Sequence, residues 1–426
     1  MLSVQALLEA PGVKDRKALA FNRDDALKGK DAAVSGLLRS IVATASPAAQ
    51  RSAFFVLDLD EVVGLFRAWR AALPAVRPYY AVKCNPEPAL VGSLAALGAG
   101  FDCASAAEIK ALLALGVHPR DIVYNNSFKH EADIEYAAEV GVDLTTYDTE
   151  QEVAKLKRCH PKCDLLLRLM VPDPGAMAAA DPGTKFGALS GEVAPLLRAA
   201  RRAGLSVAGV CFHVQNSAWR PDVLRAAFEA ARAAFDAAAA VGMPPMRVLD
   251  IGGGFVAGGA AFDDEAAVVN DALARHFGDL LPRVEVIGEP GKYFAETAFT
   301  LAARVIAKRT RGEVHDYWID DGLYGALNCV AKHTYVPRPR PLAAVSHAGE
   351  KTYTSTVFGQ TSDPQDKVVT GYQLPEMSVG DWLVFGDIGA YASAAASNFN
   401  GFAASDMKTY VAYCDTLVFR LALIGV

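Results

Sequence analysis

A lysine closes an apolar run in PYYAVKCNPEPAL, where Lys83 follows Tyr80, Ala81 and Val82 and precedes Cys84, Asn85 and Pro86. A long cation where a buried strand opens into a loop is either a solvated strand end or an amine placed to condense with an aldehyde as a Schiff base. Other groups capable of chemistry stand in or just after similar runs. Asp102 lies in GFDCAS with Glu108 soon after it, Arg168 in CDLLLRLMV, and His213 in LSVAGVCFHV. The run RVLDIGGGF carries Gly252, Gly253 and Gly254, and RVEVIGEPGKY carries Glu289, followed by Pro290, Gly291, Lys292 and Tyr293. Each has a plain structural reading. A strand-end Asp caps the next helix, a lone buried His is a satisfied core residue, and a glycine triplet is a turn. Their recurrence at the end of run after run is what favours chemistry.

The elements that must position these groups follow from the pattern. Eight apolar runs, YYAVKC, GFDCAS, DIVYNN, VDLTTYD, CDLLLRLMV, LSVAGVCFHV, RVLDIGG and RVEVIGEP, alternate with helix-period segments such as AAEIKALLALG and GEVAPLLRAARRAG. Strict alternation implies parallel strands. Eight of them are expected to close into a (β/α)8 barrel, an α/β fold of about 250 residues whose catalytic groups gather where the strands end. An open doubly wound sheet is the alternative. After about Phe294 the pattern changes to short strand candidates, FTLAARVIAKRT, YWIDDGLYG, KTYTSTVFG, DWLVFGDIG and DTLVFRLALI, separated by Gly, Pro and Asp. They read as a mostly β C-terminal domain. FFVLDLDEVVGLFRAW reads as a strand and helix leading into the barrel. The expected division is an N-terminal segment over 1–47 packing with the β domain, the barrel over 48–295, and the β domain over 296–426.

Bulk properties exclude several classes. The 426 residues carry a formal net charge of −6 and no basic stripe with interleaved aromatics, so no nucleic-acid partner is expected. Seven widely spread cysteines do not form a disulfide framework. The N-terminus MLSVQALLEAPGVKDRK is too polar for a signal peptide, and no apolar run is long enough to span a bilayer. A cytoplasmic location without membrane contact is therefore expected. The cluster CHPKC at Cys159–Cys163 lacks a second ligand pair, and Pro161 reads as a helix stop, so no metal is expected there.

The glycine triplet lacks side chains where backbone N–H groups can face a phosphate. Barrels frequently bind phosphate in the loops after strands seven and eight, where GGG and EPGKY fall. A phosphate site, a Schiff-base lysine and a buried carboxylate together point to pyridoxal 5'-phosphate. Lys83 would hold the aldehyde, the glycines the phosphate, and Glu289 the proton on the ring nitrogen, with His213 against the ring face.

Over nearly its whole length the sequence resembles the eukaryotic-type ornithine decarboxylases, within the alanine-racemase-like fold of pyridoxal-phosphate enzymes. YAVKCN, GFDCAS, HPK, LDIGGGF, EPGKY, DGLYG, LPEMSVGDW and GAYASAAASNFNGF carry the resemblance. It implies that Lys83 is the Schiff-base lysine, that Glu289 pairs with the pyridine nitrogen and that His213 stacks on the ring. It also implies that Gly253, Gly254, Gly291, Lys292 and Tyr391 lie at the phosphate, and that Asp102 and Arg168 lie near the cofactor. The family forms head-to-tail homodimers with two shared sites, and FGQTSDPQD matches the loop reaching in from the facing chain. Asp363 in that loop falls where the family grips the distal amine of its amino acid substrate.

The departures concern the substrate. Ser362 stands where the family loop has a cysteine that helps return a proton to the α-carbon, and a hydroxyl is a far weaker acid than a thiol of pKa about 8.5. His333, preceded by Lys332, stands where the family has a second aspartate for the distal amine. Lys292 replaces an arginine and loses its forked donor geometry, and Gln215 and Asn216 replace Gly-Ser after His213 and Val214. The expected activity is pyridoxal-phosphate-dependent decarboxylation of an amino acid, releasing carbon dioxide and an amine, with L-ornithine not the best substrate. The alternatives are racemisation or decarboxylation-dependent transamination on the same fold, or a catalytically inactive regulatory homologue. Retention of Lys83, His213, the glycines and Glu289 counts against the last.

Overall fold

The computed structural model describes residues 4–44, 52–171, 185–214, 220–281, 283–332, 334–342, 351–402 and 407–414. The expectations made for His333, for Gln215 and Asn216, and for the strand DTLVFRLALI lie outside the described residues. The chain divides into two compact units. One is Leu65–Lys83 with Leu94–Phe294; the other is Met1–Gly64 with Cys84–Ser93 and Ala295–Val426. None of the seven cysteines is in a disulfide.

The first unit is a closed parallel barrel. Its strands are Val76–Ala81, Gly100–Cys103, Ile122–Tyr124, Leu144–Tyr147, Asp164–Arg168, Ser206–Cys211, Val248–Asp250 and Glu285–Gly288, in that order around the ring. Seven fall within the runs read from the sequence, and Val76–Ala81 overlaps YYAVKC but begins three residues before it. Glu285–Gly288 pairs with Val248–Asp250 on one side and Val76–Ala81 on the other, which closes the ring and excludes the open sheet.

Strand side chains alternate between two faces, and here the inner face is an apolar filling. Tyr79, Val123, Leu166, Ala208, Cys211, Val248 and Ile287 form one buried cluster across the barrel. Gly100 belongs to the same layer, because a Cβ there would lie 2.6 Å from the Tyr79 ring. A step of two residues keeps a side chain on its face while moving it toward the strand end. That step leads from Gly100 to Asp102, Val123 to Asn125, Leu166 to Arg168, Cys211 to His213, Val248 to Asp250 and Ile287 to Glu289. The polar rim is thus the next layer above the apolar filling.

The second unit is built on a mixed sheet with strands in the order Ala18–Ala20, Lys408–Tyr413, Phe54–Asp58, Phe299–Arg311, Val314–Ile319, Thr352–Phe358 and Lys367–Pro375. Trp382–Phe385 also pairs with Phe299–Arg311. The strand Phe54–Asp58 lies in this sheet, between Lys408–Tyr413 and Phe299–Arg311, and does not open the barrel. Every residue of it is buried, and a uniformly apolar run says nothing about which sheet will receive it. The helix Lys30–Thr44 covers it with Ala33, Val34, Leu37, Leu38 and Ile41, which pack with Phe54, Val56, Trp382 and Val384. This unit therefore takes in residues up to Gly64, past the division expected near residue 48. The strands Lys367–Pro375 and Lys408–Tyr413 were not read from the sequence. The first is interrupted by Gly371 at φ +70° and exposes Lys367, Thr370 and Gln373 without a regular alternation; the second is only six residues long.

One aromatic cluster supports the loops after barrel strands seven and eight. Trp69 is fully buried. Its ring lies 4.9 Å from that of Phe255, which follows the glycine triplet, and 5.3 Å from that of Tyr293, which follows Lys292. Its indole N–H donates to the Val76 carbonyl at 3.0 Å. Truncating such a residue removes transfer energy and leaves a cavity. Trp69→Ala should lower the unfolding free energy by about 3–5 kcal/mol, and Trp69→Phe by less. Urea titrations followed by circular dichroism check this, and an unshifted midpoint for Trp69→Ala would contradict the assigned role.

Candidate active site

Lys83 sits in a single 3-10 turn, Val82–Cys84, directly after the first barrel strand. The neighbouring strand pairs Asp102 with Ala81, which brings the two side chains together: Lys83 Nζ lies 3.2 Å from Asp102 Oδ2. The lysine side chain is about half exposed at 46%, whereas Asp102 is at 1%. An amine that stays reachable while its counter-ion is sealed in is unlike a solvated strand end. Burial pushes the Asp102 carboxyl up to about 7; Lys83 pulls it back and Glu289 adds to the rise. Asp102 Oδ1 is buried and receives no hydrogen bond among the described residues.

Across the barrel the register sets a second group. Arg168 pairs with Cys211, Cys211 with Asp250, and Asp250 with Ile287, one row over four strands. Burial disfavours the Arg168 charge, but Cys211, Glu289, Asp250 and Asp102 around it outweigh that and raise its pKa. Glu289 follows the last strand and is buried. Its pKa is pushed well above the usual carboxylate range by burial and then by Asp250, against the pull of Lys83 and Arg168. Asn125 Nδ2 donates to Glu289 Oε1.

The glycine loop completes the rim. Gly252 adopts φ +68°, and a Cβ there would lie 2.2 Å from the Phe212 carbonyl oxygen. A Cβ on Gly253 would lie 2.5 Å from the Glu289 carbonyl oxygen and 3.1 Å from the His213 ring. Only glycine fits this approach. Gly253 N–H donates to His213 Nδ1 at 3.0 Å. Burial, then Arg168 and Lys83, lower the His213 pKa to about 3. His213 is therefore neutral with its proton on Nε2, a flat polar-edged ring with no charge to repel a cation.

The structure gathers Lys83, Asp102, Arg168, His213, Gly253 and Glu289 on one rim. Gly254, at φ +102°, continues the glycine loop. Gly291 and Lys292 stand at the start of the short helix Lys292–Ala295. Glu108 is accounted for structurally: its carboxylate accepts from Ala104 N at 2.5 Å while Glu108 N donates to the hydroxyl of Ser105, the N-cap of its helix. Two rim residues were missed in the sequence, Asn125 and Asp250. Asn125 reads there as a turn former and Asp250 is overshadowed by the glycines, but both stand two residues beyond an apolar inward position.

Tyr391, Ser362 and Asp363 belong to the sheet unit. Tyr391 takes the left-handed conformation at φ +55° and its N–H donates to the Cys84 carbonyl at 2.9 Å. Asp363 Oδ1 accepts from Gln365 N at 2.9 Å, and the Tyr324 hydroxyl donates to Oδ2. The Tyr324 bond, then that from Gln365, hold the Asp363 carboxyl below its usual range. The Ser362 N–H and hydroxyl both donate to Asn400 Oδ1 at 3.1 Å.

The residues present fit pyridoxal phosphate: a reachable amine beside a buried carboxylate, a cradle that Cβ atoms would fill, and a buried acid after the adjoining last strand. A family model described as the pyridoxal-binding domain of pyridoxal-dependent decarboxylases matches residues 59–296. The chain belongs to the pyridoxal-dependent decarboxylases. It is 48% identical over 404 residues to the chloroplastic ornithine decarboxylase of Nicotiana glutinosa, covering 93% of this chain and 91% of that one. It is 40% identical over 375 residues to the ornithine decarboxylase of Rattus norvegicus, covering 83% and 79%. Among solved structures it is similar to the arginine decarboxylase of Paramecium bursaria Chlorella virus, bound to agmatine, with a TM-score of 0.82 and 33% identity over 88% of this chain and all of that one. The lysine decarboxylase of Selenomonas ruminantium gives a TM-score of 0.76 and 32% identity over 88% and 94%. This decarboxylase therefore uses pyridoxal phosphate on a barrel and sheet shared with enzymes acting on several basic amino acids. No helix among its described residues is long and apolar enough to cross a membrane.

The glycine cradle gives a direct test. A methyl group on Gly253 has nowhere to go but into backbone, and overpacking of this kind costs about 1–3 kcal/mol. Gly253→Ala should weaken pyridoxal phosphate binding by roughly 5- to 150-fold, measured by fluorescence titration of the cofactor-free protein; unchanged affinity would show that the cradle is not used.

Proposed function

We propose that this decarboxylase acts on an amino acid whose side chain ends in a cation, with a preference that is not centred on ornithine. The observation that carries the reading is Asp363: Tyr324 and the Gln365 N–H hold it as a carboxylate, a partner suited to an amine or guanidine group. A second carboxylate for that group is absent from the sequence at position 333, which is histidine, and the adjacent Lys332 is exposed. One opposite charge at about 4 Å contributes roughly 4 kcal/mol at an effective dielectric near 20 before desolvation. Losing one of two such charges is enough to change the order of substrates.

The rim residues take defined roles in this reading. Bound pyridoxal phosphate supplies the sink for the electron pair left on the α-carbon when carbon dioxide departs. Lys83 Nζ would hold the aldehyde, and Asp102 would keep that amine in place. Gly253, whose N–H is given to His213, would let the backbone approach the phosphate, Gly254 would offer it a backbone N–H, and Gly291, Lys292 and Tyr391 would be its further partners, as the resemblance implies. Glu289 would hold a proton for the ring nitrogen, and Arg168 balances the buried carboxyl groups. The neutral His213 ring would face the cofactor ring without opposing its charge. Ser362 and Asp363 reach the site from the facing chain of a homodimer, as the resemblance implies. A second outcome follows from Ser362: its hydroxyl proton is already committed to Asn400, so protonation away from the α-carbon, and hence transamination after decarboxylation, competes with amine release.

Two experiments test this. Across ornithine, lysine, arginine, diaminobutyrate and glutamate, kcat/KM should peak at a cationic substrate other than ornithine, and Ser362→Cys should raise the amine-to-carbonyl product ratio severalfold by mass spectrometry. An ornithine maximum with a product ratio insensitive to Ser362→Cys would defeat the proposal. Separately, mixing inactive Lys83→Ala with inactive Asp363→Ala should restore about a quarter of wild-type activity, since random pairing makes half the dimers mixed, each with one intact site. Mixed dimers that form and stay inactive would refute the shared site.

A further inference from the structure

We infer that Asp250 and Glu289 hold one proton between them, and that Asp250 is thereby a positioning residue for Glu289. The two loops that carry them are tied. Glu289 N–H donates to the Gly252 carbonyl at 2.6 Å, and Gly252 N–H donates to Asp250 Oδ1 at 2.9 Å. Asp250 also lies opposite Ile287, two residues before Glu289 on the neighbouring strand, and the two carboxyl groups bear on each other's ionisation. An ionised carboxylate only accepts, so two buried carboxyl groups so placed can bond to each other only with a proton between them. Asp250 is completely buried and Glu289 nearly so. Asp250 Oδ2 is buried and receives no hydrogen bond among the described residues.

The surrounding charges give the same count. Asp102, Arg168, Lys83 and Cys211 face the pair electrostatically, and Asn125 donates to Glu289. The Cys211 thiol is pushed well above its usual range by burial and His213 is neutral. The cations are therefore Lys83 and Arg168, and the acids are Asp102, Asp250 and Glu289. With one proton on the pair the charges cancel; with none, a net negative charge is buried. Burial pushes Asp250 up to about 6, opposed by its hydrogen bonds to Glu289 and Gly252. Glu289 is driven higher by burial and Asp250.

A consequence follows that rests on Glu289 being the ring-nitrogen partner. On cofactor binding the shared proton passes from the carboxyl pair to the ring nitrogen, leaving two carboxylates beside one cation, with total charge unchanged and no proton drawn from solvent. In Asp250→Asn the new amide donates to Glu289, which is then ionised before the cofactor arrives, and the ring nitrogen must take its proton from water.

Infrared spectra of the cofactor-free protein near pH 7 test the shared proton without the cofactor. Asp58, Glu265, Asp320 and Asp321, each raised to about 7 with burial as the first cause, contribute protonated-carboxyl bands of their own. Asp250→Asn and Glu289→Gln should each delete the same further band; if Asp250→Asn does not fold, Glu289→Gln carries the test. Survival of every band in a folded variant overturns the inference. Calorimetry in buffers of different ionisation enthalpy then tests the transfer: pyridoxal phosphate binding to Asp250→Asn should take up about one proton more than binding to wild type. Equal uptake, with the band lost, overturns the role of Glu289 at the ring nitrogen and leaves the shared proton standing.

Discussion

Three acids and two cations lie at one end of an apolar barrel, and none of the acids can stay charged there without a partner. Asp102, Asp250 and Glu289 are all buried. Removing an isolated carboxylate from water costs so much that the group neutralises instead. Here Asp102 is met by Lys83, and Arg168 stands among all three acids. Glu289 is held by Asn125 and Asp250. Removing any one charge leaves another uncompensated, so these residues act as a set. The same compensation keeps Lys83 directed at Asp102 while half of its side chain stays open to a ligand.

The barrel makes this set possible by a short-range rule. Side chains two apart on a strand share a face, so a layer of Tyr79, Val123, Leu166, Val248 and Ile287 obliges the layer above it to point inward as well. What that upper layer contains is polar, and the last turn of each strand carries it to the rim. Above it, Gly252 and Gly253 bring backbone within van der Waals reach of Phe212, His213 and Glu289. Trp69 fixes the base of the loops after the seventh and eighth strands through Phe255 and Tyr293. Rigid support under a polar loop is what allows donors to be aimed before a ligand arrives.

The candidate cofactor residues and the candidate substrate residues fall on different parts of the chain. Lys83, Asp102, His213 and Glu289 lie in the barrel unit, while Ser362, Asp363, Tyr324 and Asn400 lie in the sheet unit. The family neighbours include enzymes named for ornithine, arginine and lysine. A fixed cofactor rim with exchangeable distal contacts is a physical route to that spread, because the bonds made and broken are at the α-carbon and the side chains differ far from it.

The alternation of eight apolar runs with helical segments carried the barrel, because parallel strands buried on both faces leave continuous apolar runs that sequence periodicity detects. Lys83, Asp102, Arg168, His213, the glycines and Glu289 were legible for a related reason: each stands in or just after such a run. The sequence could not assign Phe54–Asp58 to the sheet unit, since a five-residue apolar strand looks the same in either sheet. Nor did it single out Asn125 or Asp250. Their types are those of ordinary turns and caps, and their meaning depends on register. Asp250 lies opposite Ile287 and so beside Glu289, a neighbour 39 positions away in the chain. Local propensity and pattern fix what each strand end carries; only closure of the ring decides which ends touch, and therefore which acids must share a proton.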